Sequence, residues 1–178
     1  MFKLIIDEHI ELRYVTLKDT HALYTIVNEN RDYFRPWFGW LDKMTDESIM
    51  TGFIRSAMKD YGNGQGPKVT IWYDKVMVGF ISHQNYKAFN KSIAIGYWMD
   101  KNYTGKGIMT KACKAMIDVA FERDIHKVEI YCATHNMSSR KIPERLGFIE
   151  EGTIRAAELI NGEYVDNVVY GILKEEWQ

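Results

Sequence analysis

The sequence predicts an α/β or α+β sandwich with one central sheet. The order of its elements is the first observation: a strand, two helices, three strands, a helix, a strand, a helix and two strands. Such a mixed order is typical of helices that pack on a shared sheet. The second observation is size, since 178 residues with 46% hydrophobic and 26% charged side chains suit one core. We therefore expect a single domain over residues 1–178.

Charge and hydropathy exclude several classes of protein. The chain has 23 basic and 24 acidic residues, a net charge of −1, which argues against a strongly basic nucleic-acid binder. The acidic residues near the start are not typical of a signal peptide, and no stretch approaches the roughly 20 apolar residues of a membrane helix. The two cysteines suggest no disulfide framework. We expect a cytoplasmic protein without a nucleic-acid or membrane partner.

The first half of the chain begins with a short strand at residues 9–14. A helix is expected to follow Asp19, its predicted N-cap, because apolar residues then recur at helical spacing. Residues 33–40 hold five aromatic side chains in eight positions. A second helix is predicted at about residues 46–59, and the glycine-rich residues 62–67 form a loop.

An antiparallel meander is predicted next, because the hydrophobic period changes to that of strands. Its three strands are expected at residues 69–73, 76–84 and 92–99. Short connections join them, and Asp74 with Lys75 makes a two-residue turn.

The clearest helix follows Gly105, with apolar side chains at offsets 0, 3, 4, 7, 8, 11 and 12 from Met109. The remaining elements are a strand at residues 127–133, a helix at about 136–145 that ends at Gly147, and two strands around Asn161 and Gly162. Pro143 predicts a kink or a late start in the helix at about 136–145. The Asn-Gly pair is a strong hairpin signal.

Two glycines between a strand and this helix carry the sharpest chemical signal. Gly105 and Gly107 allow the backbone to approach a ligand closely, and the free amides of the first helical turn then form an anion site that suits a pyrophosphate. The third glycine of a dinucleotide-binding motif is missing, and so is the spacing of a P-loop. From the glycines alone, a connection without a ligand is an equal alternative.

The run from Asn102 to Gly107 resembles motif A of the GNAT superfamily of acyl-CoA N-acyltransferases, Gln/Arg-x-x-Gly-x-Gly/Ala, with Asn102 in place of the first residue. Nearly all of the chain resembles the RimJ/RimL branch, which acetylates ribosomal-protein N-termini. The matching features are Ile95-Gly-Tyr-Trp98, Gly105-Lys-Gly-Ile-Met-Thr110, Asn136-x-x-Ser139, Gly147-Phe148 with Glu151-Gly152, and Glu158 ahead of Asn161-Gly162.

The resemblance implies a mixed central sheet of about seven strands, mostly antiparallel, with helices on both faces. It also implies that the fourth and fifth strands splay apart to admit acetyl-CoA as co-substrate. The pyrophosphate would lie on the amides of residues 105–109, and a backbone N–H near Tyr97 or Trp98 would polarise the thioester. The implied cofactor-binding residues are Tyr97, Trp98, Met99, Gly105, Lys106, Gly107, Ile108, Met109 and Asn136.

The same resemblance implies direct transfer of acetyl to an amine, with Glu158 as base and Ser139 as acid. Two alternatives stay open, because Ser138 is adjacent to Ser139 and bulk water could accept the proton in place of Glu158. Cys113 lies on the apolar face of the best helix, which argues against an acetyl-cysteine. The five histidines show no metal-ligand spacing, so no metal is expected.

The implied acceptor is a primary amine, above all a protein N-terminus of the ribosomal type. The alternatives are a small molecule, such as a polyamine or an antibiotic, and a CoA-binding module without activity. The aromatic residues 33–40 either belong to the core or line the acceptor groove, with Trp37 or Trp40 facing it. Together with the last strands they could also form a homodimer.

Overall fold

The computed structural model describes residues 3–178, whose strands form one mixed sheet. Eight strands lie in the order β1-β2-β3-β4-β5-β6-β8-β7. Their bounds are β1 Lys3–Ile5, β2 Ile10–Tyr14, β3 Lys68–Tyr73, β4 Val76–Lys87, β5 Ser92–Met99, β6 Lys127–Ala133, β7 Ile149–Ile160 and β8 Glu163–Leu173. The predicted fold class is confirmed. The count of about seven strands is one short, because β1 is a three-residue edge strand, too short for a recognisable period.

Helices cover both faces of the sheet. They are α1 Thr20–Glu29, α2 Arg31–Phe34, α3 Glu47–Gly62, α4 Ile108–Glu122 and α5 Met137–Arg145. The apolar sides of α4 and α5 pack on one face, where Ile108, Cys113 and Ile142 belong to the same buried cluster as the central strands. A second cluster on the other face joins α1, α2 and α3 to Phe80 of β4.

Local side-chain chemistry explains several of these boundaries. Asp46 caps α3 by accepting a hydrogen bond from the Ser48 amide over 2.8 Å. Asp19 lies at the N-cap position of α1, as predicted, but its carboxylate accepts from the Thr16 amide over 2.7 Å instead. The predicted hairpin turn is also present, since Asn161 and Gly162 both have positive φ, at 53° and 82°.

The only parallel strand pair in residues 3–178 opens into a gap. Strands β5 and β6 pair over three positions, from Ser92 with Lys127 to Ala94 with Glu129. Strand β5 then continues to Met99 along β4, and β6 continues to Ala133 along β8. The two strands therefore separate towards their carboxyl ends, which is the expected splay.

A buried histidine makes the stability of this fold depend on pH. The Nε2 atom of His83 lies 2.8 Å from the Met116 carbonyl oxygen of α4, so Nε2 carries the proton and donates. Burial lowers the pKa of His83 from 6.5 to about 4. Between these values the unfolded chain binds more protons than the folded one, so the free energy of unfolding falls as the pH falls.

We expect the folded state to lose about 2 kcal/mol through His83 alone between pH 7 and pH 5. Urea unfolding at the two pH values measures this loss in the wild type and in His83→Gln. The variant keeps a donor for Met116 but has no titrating ring, so its pH dependence should be shallower by that amount. Parallel pH profiles for the two proteins would contradict the assignment.

Candidate active site

The loop between β5 and α4 leaves open space in front of its two glycines. Gly105 and Gly107 have φ angles of 77° and 75°, a region that favours glycine, and Gly107 is the N-cap of α4. A Cβ atom added at either position would meet no atom within 4 Å. The residues here therefore fit a bulky anionic group close to the backbone.

Several amide hydrogens at the start of α4 are available to such a group. The first helical hydrogen bond runs from the Lys111 amide to the Gly107 carbonyl over 3.1 Å. The amides of residues 108–110 precede this bond, and the helix dipole adds partial positive charge at the same place. The Lys106 ammonium instead lies over the Tyr103 ring, 5.2 Å from the ring centre. The backbone thus supplies the anion site.

Asn102 occupies the position at which motif A has Gln or Arg. Its side-chain nitrogen donates to Asp100 Oδ1 over 3.0 Å, and its amide donates to the same oxygen over 2.9 Å. These two bonds fold the side chain back onto its own turn. Asparagine in place of Gln or Arg thus removes a longer polar side chain from this position and leaves the backbone amides of the anion site unchanged.

The gap between β5 and β6 fits an extended, amide-containing ligand. Within the described residues, no sheet pairing joins positions 95–99 of β5 to positions 130–133 of β6. Both segments keep their partners on the outer side, β4 and β8. The inner backbone groups are thus free to pair with a pantetheine arm as with an added strand.

The predicted acid lies in a chain of hydroxyl and thiol groups on the α5 side of this gap. The Ser139 hydroxyl donates to the Tyr97 phenol oxygen over 3.2 Å. The Cys132 sulfur lies 3.2 Å from the Ser139 Oγ on the other side. Burial raises the pKa of the Tyr97 phenol well above 10 and raises the pKa of the Cys132 thiol as well. All three groups therefore carry protons at neutral pH.

Helix α5 holds Ser139 through two backbone contacts. Asn136 is the N-cap of the helix, and its Oδ1 accepts from the Ser139 amide over 3.1 Å. Pro143 has no N–H for the Ser139 carbonyl four residues earlier, and the Tyr97 hydroxyl donates to that carbonyl over 3.1 Å. Of the two expectations for Pro143, a kink or a late helix start, the late start is wrong, since α5 begins at Met137. Tyr97 supplies the donor that the proline lacks.

Glu158 and Ser139 lie on opposite faces of the sheet. Cys132 contacts Ser139, so Cys132 faces α5, and the next residue of β6, Ala133, faces the other way. Asn167 of β8 pairs with Ala133 and shares its face, and Asn167 Nδ2 donates to Glu158 Oε1 over 3.1 Å. The gap between β5 and β6 therefore connects the face that holds the predicted base with the face that holds the predicted acid.

The three strand residues before the glycine loop alternate in the same way. Tyr97 faces α5, whereas the Trp98 ring stacks on Phe80 at 5.9 Å on the opposite face. Met99 returns to the α4 face, where it is 8% exposed. The side chains of Tyr97 and Met99 thus border the space on the helix side. The Asp100 amide donates to the Val78 carbonyl of β4, so by alternation the backbone groups of Trp98 also face β4 and those of Tyr97 and Met99 face the gap.

The aromatic segment 33–40 borders the site on the face of the sheet that holds Glu158. The Trp37 ring lies 5.2 Å from the His135 ring, in the loop that follows β6. The Asn161 side chain of the last hairpin donates to the Arg35 carbonyl over 3.0 Å. An added Cβ at Gly39 would lie 2.5 Å from the carbonyl oxygen of Leu159, the neighbour of Glu158. The segment therefore forms a wall beside Glu158.

Two side chains of this arrangement have no role in the sequence prediction. The prediction assigns Tyr97 a role through its backbone and not through its hydroxyl, and it does not include Asn167. The signal for Asn167 is a polar residue that directly precedes the apolar stretch of β8, which begins at Val168 and continues through Tyr170. The alternative acid, Ser138, is exposed.

The described residues contain neither a group of metal ligands nor a helix that could span a membrane. Among residues 3–178, no three His, Cys, Asp or Glu side chains are grouped so that they could hold a metal ion. Across the same residues, every helix is too short or too polar to cross a membrane.

Known proteins match this chain over nearly its whole length. A family model described as an acetyltransferase (GNAT) domain matches residues 9–149. The putative ribosomal N-acetyltransferase YdaF of Bacillus subtilis (strain 168) is 34% identical over 180 residues, which cover 100% of this chain and 98% of that protein.

Two solved structures share the fold. The microcin C7 self immunity acetyltransferase MccE, in complex with acetyl-CoA and AMP, is 30% identical with a TM-score of 0.90, and the match covers 94% of each chain. RimL, the ribosomal L7/L12 alpha-N-protein acetyltransferase in complex with coenzyme A, is 25% identical with a TM-score of 0.93. That match covers 97% of this chain and 98% of RimL.

Proposed function

Because this chain belongs to the GNAT acetyltransferase family and is an acetyl-CoA-dependent N-acetyltransferase, we propose that it acetylates a protein N-terminal amine of the ribosomal type. One observation carries the proposal. The splay of β5 and β6 joins an anion-binding loop on one face of the sheet to an exposed carboxylate on the other. Acetyl-CoA and an amine can thus approach the same point from opposite sides.

The co-substrate contacts follow from the backbone of the site. We assign the pyrophosphate to the amides of residues 105–109, and the pantetheine arm to the inner edge of β5 up to Met99. Asn136, the N-cap of α5, borders the same space. Acetyl-CoA supplies the activated acyl group, and the chain orients it towards the face that holds Glu158.

Glu158 is the proposed base. A protein α-amine has a pKa near 8, so much of it is protonated at neutral pH and cannot attack a thioester. An exposed carboxylate beside the gap can accept that proton directly or through a water molecule. Bulk water remains the alternative acceptor of the proton.

Ser139 is the proposed acid, which protonates the departing thiolate of coenzyme A. The hydrogen-bonded chain through Tyr97 and Cys132 supports this role, because each member carries a proton at neutral pH. The alternative, Ser138, is the preceding residue of the helix and is exposed.

Ser139→Ala should lower kcat by about 10²–10³-fold and change the KM for acetyl-CoA little, because leaving-group protonation stabilises only the transition state. Steady-state kinetics with varied acetyl-CoA separate the two constants. Ser138→Ala is the matched control on the same helical turn and should retain wild-type constants. A larger loss of kcat in Ser138→Ala would move the acid to that residue.

The acceptor class is tested by thiol release from acetyl-CoA with a panel of amines. The proposal expects turnover with short peptides that have a free α-amine, and none with the same peptides blocked at the N-terminus. Peptides with a lysine and a blocked N-terminus separate α-amines from side-chain amines. Turnover with none of the peptides would overturn the proposed acceptor while leaving the family assignment intact.

A small-molecule acceptor is the second candidate. The observation in its favour is the likeness to MccE at 30% identity, a self immunity acetyltransferase whose structure contains AMP. The same assay with spermidine and with aminoacyl-nucleotide analogues tests it. Turnover of these compounds without turnover of peptides would favour the small-molecule reading.

A homodimer and a cytoplasmic location remain proposals. The homodimer is supported by the edge strand β7, where Ile149, Ile154 and Leu159 are 56%, 47% and 55% exposed. Exposed apolar side chains on a long edge strand are a common basis for association. The cytoplasmic proposal rests on two cysteines that are both free thiols in this fold.

A further inference from the structure

Asn167 is a buried amide that lies beside the exposed carboxylate of Glu158. It is 5% exposed, and its Nδ2 donates to Glu158 Oε1 over 3.1 Å. Its Oδ1 is shielded from solvent, and no group in the described chain donates to it. The amide nitrogen thus donates to Glu158, whereas the amide oxygen is buried without a hydrogen-bond donor.

The orientation of this amide follows from the chemistry of its partner. A carboxylate only accepts hydrogen bonds, so the nitrogen of Asn167 must face Glu158 and the oxygen must face away. A buried carbonyl oxygen without a donor destabilises a fold, and an apolar side chain of similar shape would avoid that cost. The stability of the fold therefore does not explain an asparagine at position 167. The hydrogen bond to Glu158 is the interaction that an apolar side chain there could not make.

The position of Asn167 links that contact to the gap. Asn167 pairs with Ala133, the last residue of β6, and with Ile154 of β7. Strands β5 and β6 have already separated at this level, since their pairing ends at Ala94 and Glu129. The amide therefore lies in the sheet at the end where the thioester is expected.

Strand β8 also fixes the backbone that leads to Glu158. Ile154 pairs with Asn167 and Glu158 pairs with Val165, so β7 advances four residues while β8 advances two. The Asp166 carboxylate accepts from the Ala156 amide within this bulge over 2.8 Å. Bulges redirect side chains, and here two neighbouring residues of β8 hold the bulge and the carboxylate that follows it.

We propose that Asn167 is the positioning residue for Glu158, which holds the carboxylate towards the gap at the expense of an unsatisfied amide oxygen. The inference rests on the proposed role of Glu158 as base. Without the amide, an exposed glutamate on an edge strand would populate several rotamers, and fewer of them would reach the amine.

A double-mutant cycle tests this role with peptide acceptor and acetyl-CoA. Asn167→Leu should lower kcat by about 10- to 100-fold in the wild-type background, with the KM for acetyl-CoA unchanged. In the Glu158→Gln background the same substitution should cause no further loss, because the group that it positions no longer accepts a proton. Thermal unfolding should show a Tm at or above that of the wild type.

Equal losses of kcat in the two backgrounds, or no loss in the wild-type background, would overturn the positioning role. If Glu158→Gln alone keeps full activity, the proposed base fails, which is a separate result. Asn167→Asp provides a second variant of nearly identical shape. Its activity relative to wild type should increase as the pH falls, because the introduced carboxyl regains a donor when it is protonated, and a ratio independent of pH would contradict the proposal.

Discussion

Gly107→Glu is expected to abolish the binding of coenzyme A. Gly107 is the N-cap of α4 with a φ of 75°, and a Cβ atom there would enter open space in front of the helix N-terminus. The new carboxylate would occupy the anion site and repel the pyrophosphate, and any L side chain at this φ adds backbone strain. The juxtaposition of like charges in a binding site typically costs on the order of several kcal/mol of binding free energy.

Isothermal titration of the folded variant with coenzyme A measures this effect. Gly64→Glu is the matched control, because Gly64 has a φ of 76° and equally open surroundings in the loop before β3. Both variants should lose similar stability, and only Gly107→Glu should lose affinity. Wild-type affinity in Gly107→Glu would remove the pyrophosphate site from residues 105–109.

Glu158→Gln is expected to lower kcat/KM near neutral pH by at least about 100-fold, since general-base catalysis typically contributes about 10²–10⁴-fold. Glutamine keeps the shape of the side chain and removes the proton acceptor. Raising the pH should restore part of the activity, because a larger fraction of the amine is then already neutral. A pH–rate profile from pH 6 to 9.5 with one good peptide acceptor measures both effects.

The control for this experiment is Glu163→Gln, an exposed carboxylate on the other strand of the same hairpin. It should leave the profile unchanged. A rate ratio for Glu158→Gln that stays constant across the pH range would assign Glu158 to positioning rather than proton transfer. Equal rates for wild type and variant throughout would place the base elsewhere, or would show that bulk water accepts the proton.

Local sequence patterns were sufficient for most elements of the fold. The predicted strands at residues 92–99 and 127–133 agree with β5 and β6, and the predicted helix after Gly105 became α4. Each has a hydrophobic period with clear boundary residues. The strand β1 and the four-residue helix α2 were missed because neither is long enough to show a period. The glycine loop was also recognisable, since its chemistry lies within six consecutive residues.

The arrangement of the site depends on contacts between residues far apart in the chain. Sequence alone indicated that Ser139 and Glu158 both matter, but the antiparallel partners of β6 and β8 decide that the two side chains lie on opposite faces of the sheet. Local periodicity carries no information on strand order or register across the β6-β8-β7 edge. The pairing of Asn167 with Glu158 follows only from that register and from the bulge in β7. The sequence by itself therefore determined the family, the co-substrate and the loop proposed to bind it, and tertiary packing decided how the proposed acid, the proposed base and its neighbouring amide are placed around the gap.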